Sequence, residues 1–482
     1  MSWLIGAIYL LNFISIITIL FIERKKPSSA FGWILILTFL PIVGFILYPL
    51  IGKTLRPNQK KIFNLKKEFD NLYNERLQKK HLLSQNNLDN ILDENMNQYE
   101  DLIRMNYNAV NSIYSQDNDI TIFTQGKDKF DSLISDIENA KDTIHIVYYI
   151  INNDNLSKKI INLLTKKAKE GVEVRFLYDH VGSIFTPHKI FKELIKAGGH
   201  VHRFFPLTVR TYMRVNYRNH RKIAIIDGKI GYTGGMNIGD EYLGLHKRLN
   251  PWRDTHIRLT GSSVYTLQER FLMDWSYASN HKTDTDKETL QKFFPPIKPE
   301  GDTGVQILSS GPDVRGEQIK TAYIKMITSA KKSIYIQTPY FIPDDSLLDA
   351  LEIAALSGVD VKIMLPAIPD KRFVYRATTS YIDDVLRHGI KVYLYNGFLH
   401  AKMLTIDGKV TSIGTANMDI RSFAHNFEIN TLIFDSNLSK WCSKAFEEDM
   451  QKSKLVTRET YDSRGLGVKM LESISRLMSP LL

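Results

Sequence analysis

Two stretches of the chain, 220–237 and 400–417, carry the same reactive residue types at the same spacing. Each opens with a His-x-Lys-x4-Asp motif and continues to a glycine seven residues and an asparagine ten residues after the aspartate. The residues at these positions are His220, Lys222, Asp227, Gly234 and Asn237 in the first stretch, and His400, Lys402, Asp407, Gly414 and Asn417 in the second. With 13 histidines in the chain, one such motif arises by chance with a probability of roughly 5%. Two matched copies therefore indicate a shared function.

These residue types suit an anionic phosphodiester held between the two motifs. The lysines neutralise phosphate oxygens as point charges, and asparagine NH₂ groups donate hydrogen bonds to them. One imidazole can attack phosphorus while the other protonates the leaving alkoxide. An unperturbed histidine pKa of about 6.5 allows both roles near neutral pH. Because the lysines already offset the developing charge, this chemistry requires no metal ion. A lone histidine is more often structural, but the paired arrangement favours catalysis.

Strand geometry explains the spacing inside each motif. Side chains two residues apart project from the same face of a strand, so the His and Lys of each motif are expected to point together. The apolar run after each lysine predicts a buried strand, and the following Asp-Gly pair predicts a turn. We therefore expect structural roles at turns for Asp227 and Asp407.

The sequence contains an internal repeat of one structural unit. Residues 140–178 and 330–365 begin with similar strand patterns, each preceded and followed by segments with helical spacing of apolar residues. Alternating helices and strands predict α/β layers in which helices cover a largely buried sheet. Two copies on one chain predict a pseudo-symmetric pair with a site at their interface.

The first fifty residues contain two long uncharged runs, Trp3–Ile22 and Phe31–Ile51. Each has the length of a transmembrane helix, so a two-helix hairpin is the favoured interpretation. A cleaved signal peptide is the alternative for the first run, and a re-entrant segment broken at Pro41 is the alternative for the second. Basic residues flank both runs, and their distribution favours a multi-pass protein of the cell membrane with its catalytic bulk in the cytoplasm.

The chain is basic, with 63 Lys and Arg residues against 52 Asp and Glu residues and a formal net charge of +11. This excess favours an anionic partner, either nucleic acid or a membrane surface, and the apolar runs favour the membrane. From Lys53 to His81 there are nine basic and three acidic residues, a segment suited to anionic headgroups or to a solvated helix face. The single cysteine, Cys442, excludes an internal disulfide framework and a Cys-rich metal site.

The duplicated motif resembles that of the phospholipase D superfamily, and the resemblance extends from about residue 120 to the C-terminus. It implies two phospholipase D-like α/β sandwich domains, a covalent phosphohistidine intermediate and a ping-pong transfer. Members of the superfamily include phospholipases, phosphatidyltransferases and nucleases, so the motif alone does not fix the substrate.

Further stretches are similar to the bacterial cardiolipin synthases. They are 217–223, 234–244, 252–256, 337–341 and 397–402, together with the N-terminal apolar region and the residues from 475 to the C-terminus. This similarity implies a phosphatidyltransferase without a cofactor that uses phosphatidylglycerol as both donor and acceptor. Thr415 departs from the serine common in the superfamily, and Gly235 occupies the corresponding place in the first copy.

The resemblance also implies roles for individual residues. His220 would be the nucleophile and His400 the general acid and base, although the near symmetry of the copies leaves the reverse assignment open. Asp254 and Glu428 would orient the two imidazoles, with surface charge as the alternative. Arginines near the motifs would hold a second phosphate or a headgroup; they are Arg218, Arg221 and Arg421.

The chain is thus expected to divide into four parts. These are a membrane anchor at 1–52, a basic linker region at 53–115, and phospholipase D-like domains at 116–290 and 300–482. The last ends in an amphipathic helix around Val468–Met478, which would lie on the membrane or pack against the domain. A hydrolytic phospholipase D, a nucleic-acid phosphodiesterase and a non-catalytic membrane scaffold are the competing functions; protein partners are not predicted.

Overall fold

The computed structural model of the chain describes residues 2–23, 27–52, 91–206, 216–279, 287–314 and 316–479. The predicted basic segment 53–81 lies outside these residues, as do the basic positions 24–26 between the two apolar runs. The described part contains two similar α/β repeats behind a group of N-terminal helices.

The strands of the first repeat are β1 (Ser115–Phe123), β2 (Thr143–Tyr148), β3 (Glu173–Asp179), β4 (His200–Phe204), β5 (Arg218–Asn219), β6 (Ile223–Ile226), β7 (Ile230–Gly234), β8 (Trp252–Arg253) and β9 (His256–Thr260). Those of the second are β10 (Thr303–Ser310), β11 (Ser333–Gln337), β12 (Phe341–Ile342), β13 (Asp360–Pro366), β14 (Lys391–Tyr395), β15 (Phe398–Leu399), β16 (Met403–Ile406), β17 (Val410–Gly414), β18 (Met418–Asp419), β19 (Asn426–Phe434) and β20 (Ser453–Val456).

The α-helices before and within the first repeat are α1 (Ser2–Thr18), α2 (Pro27–Phe39), α3 (Pro41–Leu47), α4 (Glu100–Val110), α5 (Gly126–Asn139), α6 (Asn155–Lys169), α7 (Lys192–Lys196), α8 (Val264–Ser279) and α9 (Lys287–Phe293). Those of the second repeat are α10 (Gln318–Ser329), α11 (Asp345–Leu356), α12 (Arg372–Ser380), α13 (Ile382–Arg387), α14 (Ile420–Ala424), α15 (Ser436–Met450), α16 (Arg458–Asp462) and α17 (Leu466–Leu477).

The two repeats share one continuous mixed sheet. The first contributes the order β4-β3-β2-β6-β7-β9-β1, and the second continues with β10-β19-β17-β16-β11-β13-β14-β20. Strands β2, β3 and β4 are parallel, as are β11, β13 and β14, while the remaining neighbours along this order are antiparallel. Helices connect the parallel strands and cover the sheet, because a parallel crossover cannot be made by a tight turn. The duplicated α/β fold predicted from the repeat is confirmed.

A shared core lies between the two repeats. Strands β1 and β10 pair antiparallel at the junction, with Ser115 opposite Val305. The apolar cluster beside this junction combines buried residues of both repeats, including Ile257, Ile307 and Met403. Burial of one common apolar core ties the repeats together, so each motif is held at a fixed position relative to the other.

The aspartate of each motif lies in a tight turn away from the histidine. Asp227 adopts a left-handed φ of 51°, and its carboxylate accepts hydrogen bonds from the backbone N–H groups of Lys141, Asp142 and Thr143 at 2.8–2.9 Å. Asp407 adopts a φ of 54° and binds the N–H groups of residues 331–333 in the same way. Each aspartate therefore fastens the turn after one strand to the start of the neighbouring strand.

Replacing Asp227 with alanine is expected to lower the free energy of unfolding by about 3 kcal/mol, because three N–H groups lose a charged acceptor and alanine disfavours a positive φ. Asp227→Asn should cost less, since asparagine keeps one acceptor oxygen and tolerates this conformation. Thermal unfolding in detergent measures both, with Lys229→Ala at the same exposed turn as the control. An Asp227→Ala protein as stable as Lys229→Ala would contradict this structural role.

The N-terminal region contains one helix long and apolar enough to cross a membrane. It covers Ile5–Glu23, and it is the only such span found within the described residues. The second apolar run divides at Leu40 into α2 and α3, because Pro41 has no N–H to continue the helix. Two full-length spans, as predicted from the sequence, are therefore not confirmed.

The side chain of Asn12 forms hydrogen bonds to backbone carbonyls at the interruption in the second run. The missing N–H of Pro41 would otherwise have bonded to the carbonyl of Leu37 four residues earlier. The side-chain amide of Asn12 donates to that carbonyl at 3.1 Å and to the carbonyl of Pro41 at 2.9 Å. The single strongly polar residue of the first run thus fixes α1 against the break, where an unsatisfied carbonyl would be costly in lipid.

The C-terminal helix α17 packs on the second repeat through its polar side. Glu472 is buried and accepts hydrogen bonds from Thr379 at 2.7 Å and from Arg464. Its apolar side chains point outward, and Leu466 and Leu477 are 75% and 81% exposed. The helix expected from the sequence is present, and it contacts the domain through its polar face while its apolar face is exposed.

Candidate active site

The two histidines are positioned by short strands that cross between the repeats. Strand β5, immediately before His220, pairs with the start of β19 in the second repeat. Strand β15, immediately before His400, pairs with β8 in the first repeat. The backbone N–H of His220 bonds to the carbonyl of Phe427 at 2.9 Å, and that of His400 bonds to the carbonyl of Arg253 at 2.7 Å. Each motif is thereby anchored on the other repeat.

A carboxylate from the opposite repeat contacts each imidazole. Nδ1 of His220 lies 2.9 Å from Glu428, and Nδ1 of His400 lies 2.7 Å from Asp254. Both acids are buried. A carboxylate at Nδ1 accepts the proton there and leaves the lone pair of the neutral ring on Nε2. The structure thus places each expected orienting carboxylate next to its histidine, and each carboxylate belongs to the repeat that does not carry that histidine.

The motif lysines are buried next to the histidines. Nζ of Lys222 donates to the carbonyl of His220 at 2.7 Å, and Nζ of Lys402 donates to that of His400. Burial lowers the pKa of Lys222 to about 7 and that of Lys402 to about 8, against the opposing effect of Glu428 and Asp254. Each His-x-Lys segment lies between two strands rather than within one, which corrects the strand placement expected from the spacing.

Burial and neighbouring positive charge favour the neutral form of both imidazoles. The pKa of His220 is well below its usual value because the ring is buried and lies near Lys222 and Lys402. Burial and the charge of Lys402 lower the pKa of His400 to about 4. Burial raises the pKa of Glu428 to about 7. An anion that enters the site offsets the lysine charges and raises the proton affinity of both rings.

Each motif asparagine makes hydrogen bonds within its own repeat. Asn237 accepts the backbone N–H of Ile150 at 3.1 Å and donates to the hydroxyl of Tyr242. The backbone N–H of Asn417 bonds to the hydroxyl of Ser422 at 3.2 Å. Asn237 therefore forms hydrogen bonds to other residues of the protein, whereas the sequence predicts that it donates to a phosphate.

Aromatic side chains around the histidines were not anticipated from the sequence. The ring of Tyr149 lies 4.7 Å from that of His220 in an edge-on contact. His400 is surrounded by Tyr242, Trp252 and Phe398 at 5.6–5.9 Å between ring centres. The position of Tyr149 directly after β2 was the available signal, since ligand sites in α/β folds lie beyond the carboxyl ends of parallel strands.

Three arginines are expected from the sequence to hold a second phosphate or a headgroup. The position of Arg221 excludes it from that role. It is fully buried and pairs with both oxygens of Asp274 at 2.9 Å, with further bonds to Ser309 and the carbonyl of Glu428. Arg421 binds the side chain and carbonyl of Asn216, and Arg218 lies 3.9 Å from Asp179. Arg221 fixes the backbone that carries Glu428 rather than contacting a substrate.

Glu428 and Asp254 contact different residues at the equivalent position of the two repeats, which explains why one repeat has Thr415 there and the other has Gly235. Thr415 donates its hydroxyl to Glu428 at 2.5 Å. In the other repeat the shorter Asp254 lies against Gly235, where an added Cβ would come 2.0 Å from its carboxylate oxygen. A threonine there would occupy the space of Asp254, so each repeat matches the side chain at this position to the length of its acid.

The substitution Gly235→Ala is expected to lower kcat by about 100-fold, because the added methyl displaces Asp254 from His400 and misorients the imidazole ring. Thr415→Ser, which keeps a hydroxyl at the equivalent place, should stay within about threefold of the unchanged enzyme. Steady-state kinetics measure both. Full activity in Gly235→Ala would show that the contact of Asp254 with His400 is dispensable.

Within the ranges that the structure describes, no group of three or more His, Cys, Asp or Glu side chains is arranged to hold a metal ion. The titratable groups that converge are two histidines, two lysines and two carboxylates.

A family model described as "Cardiolipin synthase, PLD-like domain" matches residues 133–275 and 323–450, one segment in each repeat. A second model, described as "Phospholipase_D-nuclease N-terminal", matches residues 10–53. The first contains both histidine motifs and both carboxylates, and the second covers the N-terminal helices.

Full-length relatives carry consistent names. The chain is 49% identical to the major cardiolipin synthase ClsA of Bacillus subtilis, over 100% of this chain and 99% of that one. It is 46% identical, with the same coverage, to a cardiolipin synthase of Listeria monocytogenes. Among solved structures, the phosphatidylserine synthase of Haemophilus influenzae superposes with a TM-score of 0.61 at 15% identity, covering 79% of this chain and 100% of that one. This last likeness concerns the fold.

Proposed function

The chain belongs to the cardiolipin synthases of the phospholipase D superfamily and is a phosphatidyltransferase, and we propose that it joins two phosphatidylglycerol molecules through a phosphatidyl-histidine intermediate. The crosswise contacts of His220 with Glu428 and of His400 with Asp254 carry this proposal. They give two oriented imidazoles, one for each half of a transfer reaction.

In the first half, Nε2 of His220 attacks the phosphorus of one phosphatidylglycerol. The P–N bond forms as the P–O bond to the headgroup glycerol breaks, and His400 gives a proton to the departing oxygen. Glu428 stabilises the positive charge that develops on His220. The two buried lysines offset the negative charge of the phosphoryl oxygens.

In the second half, a terminal hydroxyl of another phosphatidylglycerol takes the place of the glycerol. His400, now neutral, accepts the hydroxyl proton while the oxygen attacks phosphorus and the P–N bond breaks. Cardiolipin leaves, and both histidines return to their starting states. The protonated His400 required at the outset arises when the phosphodiester enters, because its charge counters the lysines that hold the imidazole pKa low.

The N-terminal helix associates the enzyme with a membrane, and we propose that α2 and α3 return across it as the second half of a hairpin. The bonds from Asn12 to the interruption support this arrangement, as does the small buried cluster of Ile19, Trp33, Leu37 and Tyr48. A hairpin places the N-terminus and the catalytic repeats, proposed as 116–290 and 300–482, on one side of the membrane. An N-terminal tag protected from a protease that cleaves the catalytic part would exclude it.

Incubation of the purified full chain with phosphatidylglycerol in mixed micelles tests the function. We expect cardiolipin and glycerol in equal amounts, resolved by mass, and neither product from His220→Ala or His400→Ala. Phosphatidic acid in place of cardiolipin would identify water as the acceptor and a hydrolytic phospholipase D as the function. Phosphatidylethanolamine supplied as the second lipid shows whether the acceptor must be phosphatidylglycerol.

A further inference from the structure

An exposed apolar loop stands beside His220. It connects β3 to α7, and it presents Ile184 and Phe185 with 50% and 96% of their surfaces exposed. Fully exposed aromatic side chains on a loop near a catalytic site are unusual in a protein that meets only water.

The loop is held firmly although its tip is exposed. Ser183 donates to the carbonyl of Tyr149 at 3.2 Å and accepts the N–H of Ile151 at 3.0 Å. At its start, the N–H groups of Val181 and Gly182 bond to Asp179 at 2.9–3.0 Å. Because Tyr149 contacts the ring of His220, the exposed tip is fixed relative to the nucleophile.

Similar side chains flank the rest of the site. Leu245 is 65% exposed and lies three residues after Tyr242, which contacts His400. Phe373 is 40% exposed and lies in the first turn of α12, directly after the loop that follows β13. The loop between β13 and α12 is the counterpart of the one after β3, so the pseudo-symmetry of the fold places an exposed apolar group after the equivalent strand of each repeat.

Exposed basic side chains accompany these apolar groups. Lys247 and Arg248 follow Leu245, and Lys371 and Arg372 precede Phe373. The two groups are in contact, since Arg248 donates to the carbonyl of Asp370 at 3.4 Å. The charge of Lys371 also reaches the site, where it contributes to the low pKa of His220. Apolar tips beside cations match the layered chemistry of an anionic bilayer.

We propose that the four apolar side chains Ile184, Phe185, Leu245 and Phe373, here called the apolar rim, insert into the acyl region of an anionic bilayer while the neighbouring lysines and arginines bind its phosphates. The catalytic opening would then rest on the membrane surface, and a lipid headgroup could reach the histidines with its acyl chains still in the bilayer. The proposal rests on the proposed function in taking lipids as the substrates, but insertion itself requires no turnover.

Site-directed fluorescence on the full chain reconstituted in bilayer discs tests the insertion. The only cysteine, Cys442, is fully buried, so a cysteine introduced by Phe185→Cys can be labelled selectively with an environment-sensitive dye. Discs contain phosphatidylglycerol with or without bromine on the acyl chains. Leu356→Cys is the matched control, since Leu356 is 71% exposed and ends α11 just before β13, at the opposite end of that strand from Phe373.

We expect brominated lipid to quench the dye at 185 at least twofold and to leave the dye at 356 unchanged. The same quenching in a His220→Ala background would separate insertion from catalysis. Absence of quenching at 185 overturns the proposal. A blue shift at 185 that depends on protein concentration, without quenching by bromine, would instead assign this surface to contact with a second copy of the chain.

Steady-state kinetics on lipid vesicles provide a second measurement. Turnover of a soluble short-chain lipid is its control. Phe185→Ser should raise the apparent KM for phosphatidylglycerol vesicles about tenfold, as expected for the loss of one inserted aromatic side chain. Its activity on short-chain phosphatidylglycerol below the micelle threshold should not change, because Phe185 lies outside the catalytic cluster. Leu356→Ser should match the unchanged enzyme on both substrates. An equal loss on both substrates in Phe185→Ser would mean that the loop acts on catalysis rather than on membrane contact.

Discussion

In the His400→Ala enzyme, a phosphatidyl ester with a good leaving group is expected to accumulate as a covalent adduct on His220. Phosphatidyl p-nitrophenol is such a substrate, because p-nitrophenolate departs without a proton. With phosphatidylglycerol the same variant should be at least 10³-fold slower than the unchanged enzyme, since its alkoxide cannot leave unprotonated. The His220→Ala enzyme should form no adduct with either substrate.

The expected difference between the two variants follows from their roles rather than from their surroundings, which are nearly symmetric. Each imidazole bonds to one carboxylate from the other repeat and lies next to one buried lysine. A good leaving group removes the need for an acid but not for a nucleophile. Loss of His400 should therefore spare the first step and stop the second, in which it serves as the base.

Mass spectrometry of the intact protein and of its peptides distinguishes the two roles. We expect a stoichiometric phosphatidyl adduct on the peptide that contains His220 in His400→Ala, together with one equivalent of p-nitrophenol. Lys229→Ala, at an exposed turn, controls for the effect of substitution in this repeat. An adduct on His400 in the His220→Ala enzyme would reverse the assignment.

The sequence was sufficient to predict the duplicated fold and the residues that gather at its centre. Both follow from local information, since apolar periodicity defines the elements and the repeat of His-x-Lys-x4-Asp marks the reactive positions. The same information identified the turns at Asp227 and Asp407, because Asp-Gly suits a positive φ. These properties depend on residues close together in the chain.

Pairings between distant segments were beyond what the sequence could predict. The contact of β5 with β19 joins residues more than two hundred positions apart, and no local sequence pattern predicts it. The same limit applies to Arg221, whose partner Asp274 lies on another element. It also applies to Asn12, whose amide bonds to backbone carbonyls at the interruption between α2 and α3. Helix α17 shows it again, since spacing defines an apolar face but not the direction in which that face points.

The second large effect is expected from exchanging each orienting carboxylate for its amide. In Glu428→Gln the amide NH₂ donates to Nδ1 of His220, which moves the ring proton to Nε2 and removes the nucleophilic lone pair. A loss of about 10³- to 10⁴-fold in kcat is expected, as for other catalytic histidines held in the wrong tautomer. Glu428→Asp keeps the charge and should recover part of the activity, whereas a loss due only to folding would not respond to charge.

The corresponding exchange at the other histidine should slow both halves of the reaction. In Asp254→Asn the amide NH₂ donates to Nδ1 of His400, so the neutral ring carries its proton on Nε2 and can neither accept the hydroxyl proton there nor gain the second proton that it needs as an acid. Because the leaving glycerol and the incoming hydroxyl exchange the same proton with His400, turnover of phosphatidylglycerol should fall without a burst of glycerol. With phosphatidyl p-nitrophenol, which needs no acid, Asp254→Asn should still release one equivalent of p-nitrophenol, whereas Glu428→Gln should release none. Glu170→Gln, an amide exchange at a surface ion pair, should behave as the unchanged enzyme.

The dependence of the rate on pH separates these positions further. Because burial raises the pKa of Glu428 to about 7, its carboxylate is lost as the pH falls through neutrality, and kcat/KM of the unchanged enzyme should fall with it. Glu428→Gln has no such group, so this acidic limb should disappear from its profile, while Asp254→Asn should retain it. An unchanged limb in Glu428→Gln would assign the titration to another group and remove Glu428 from the control of His220.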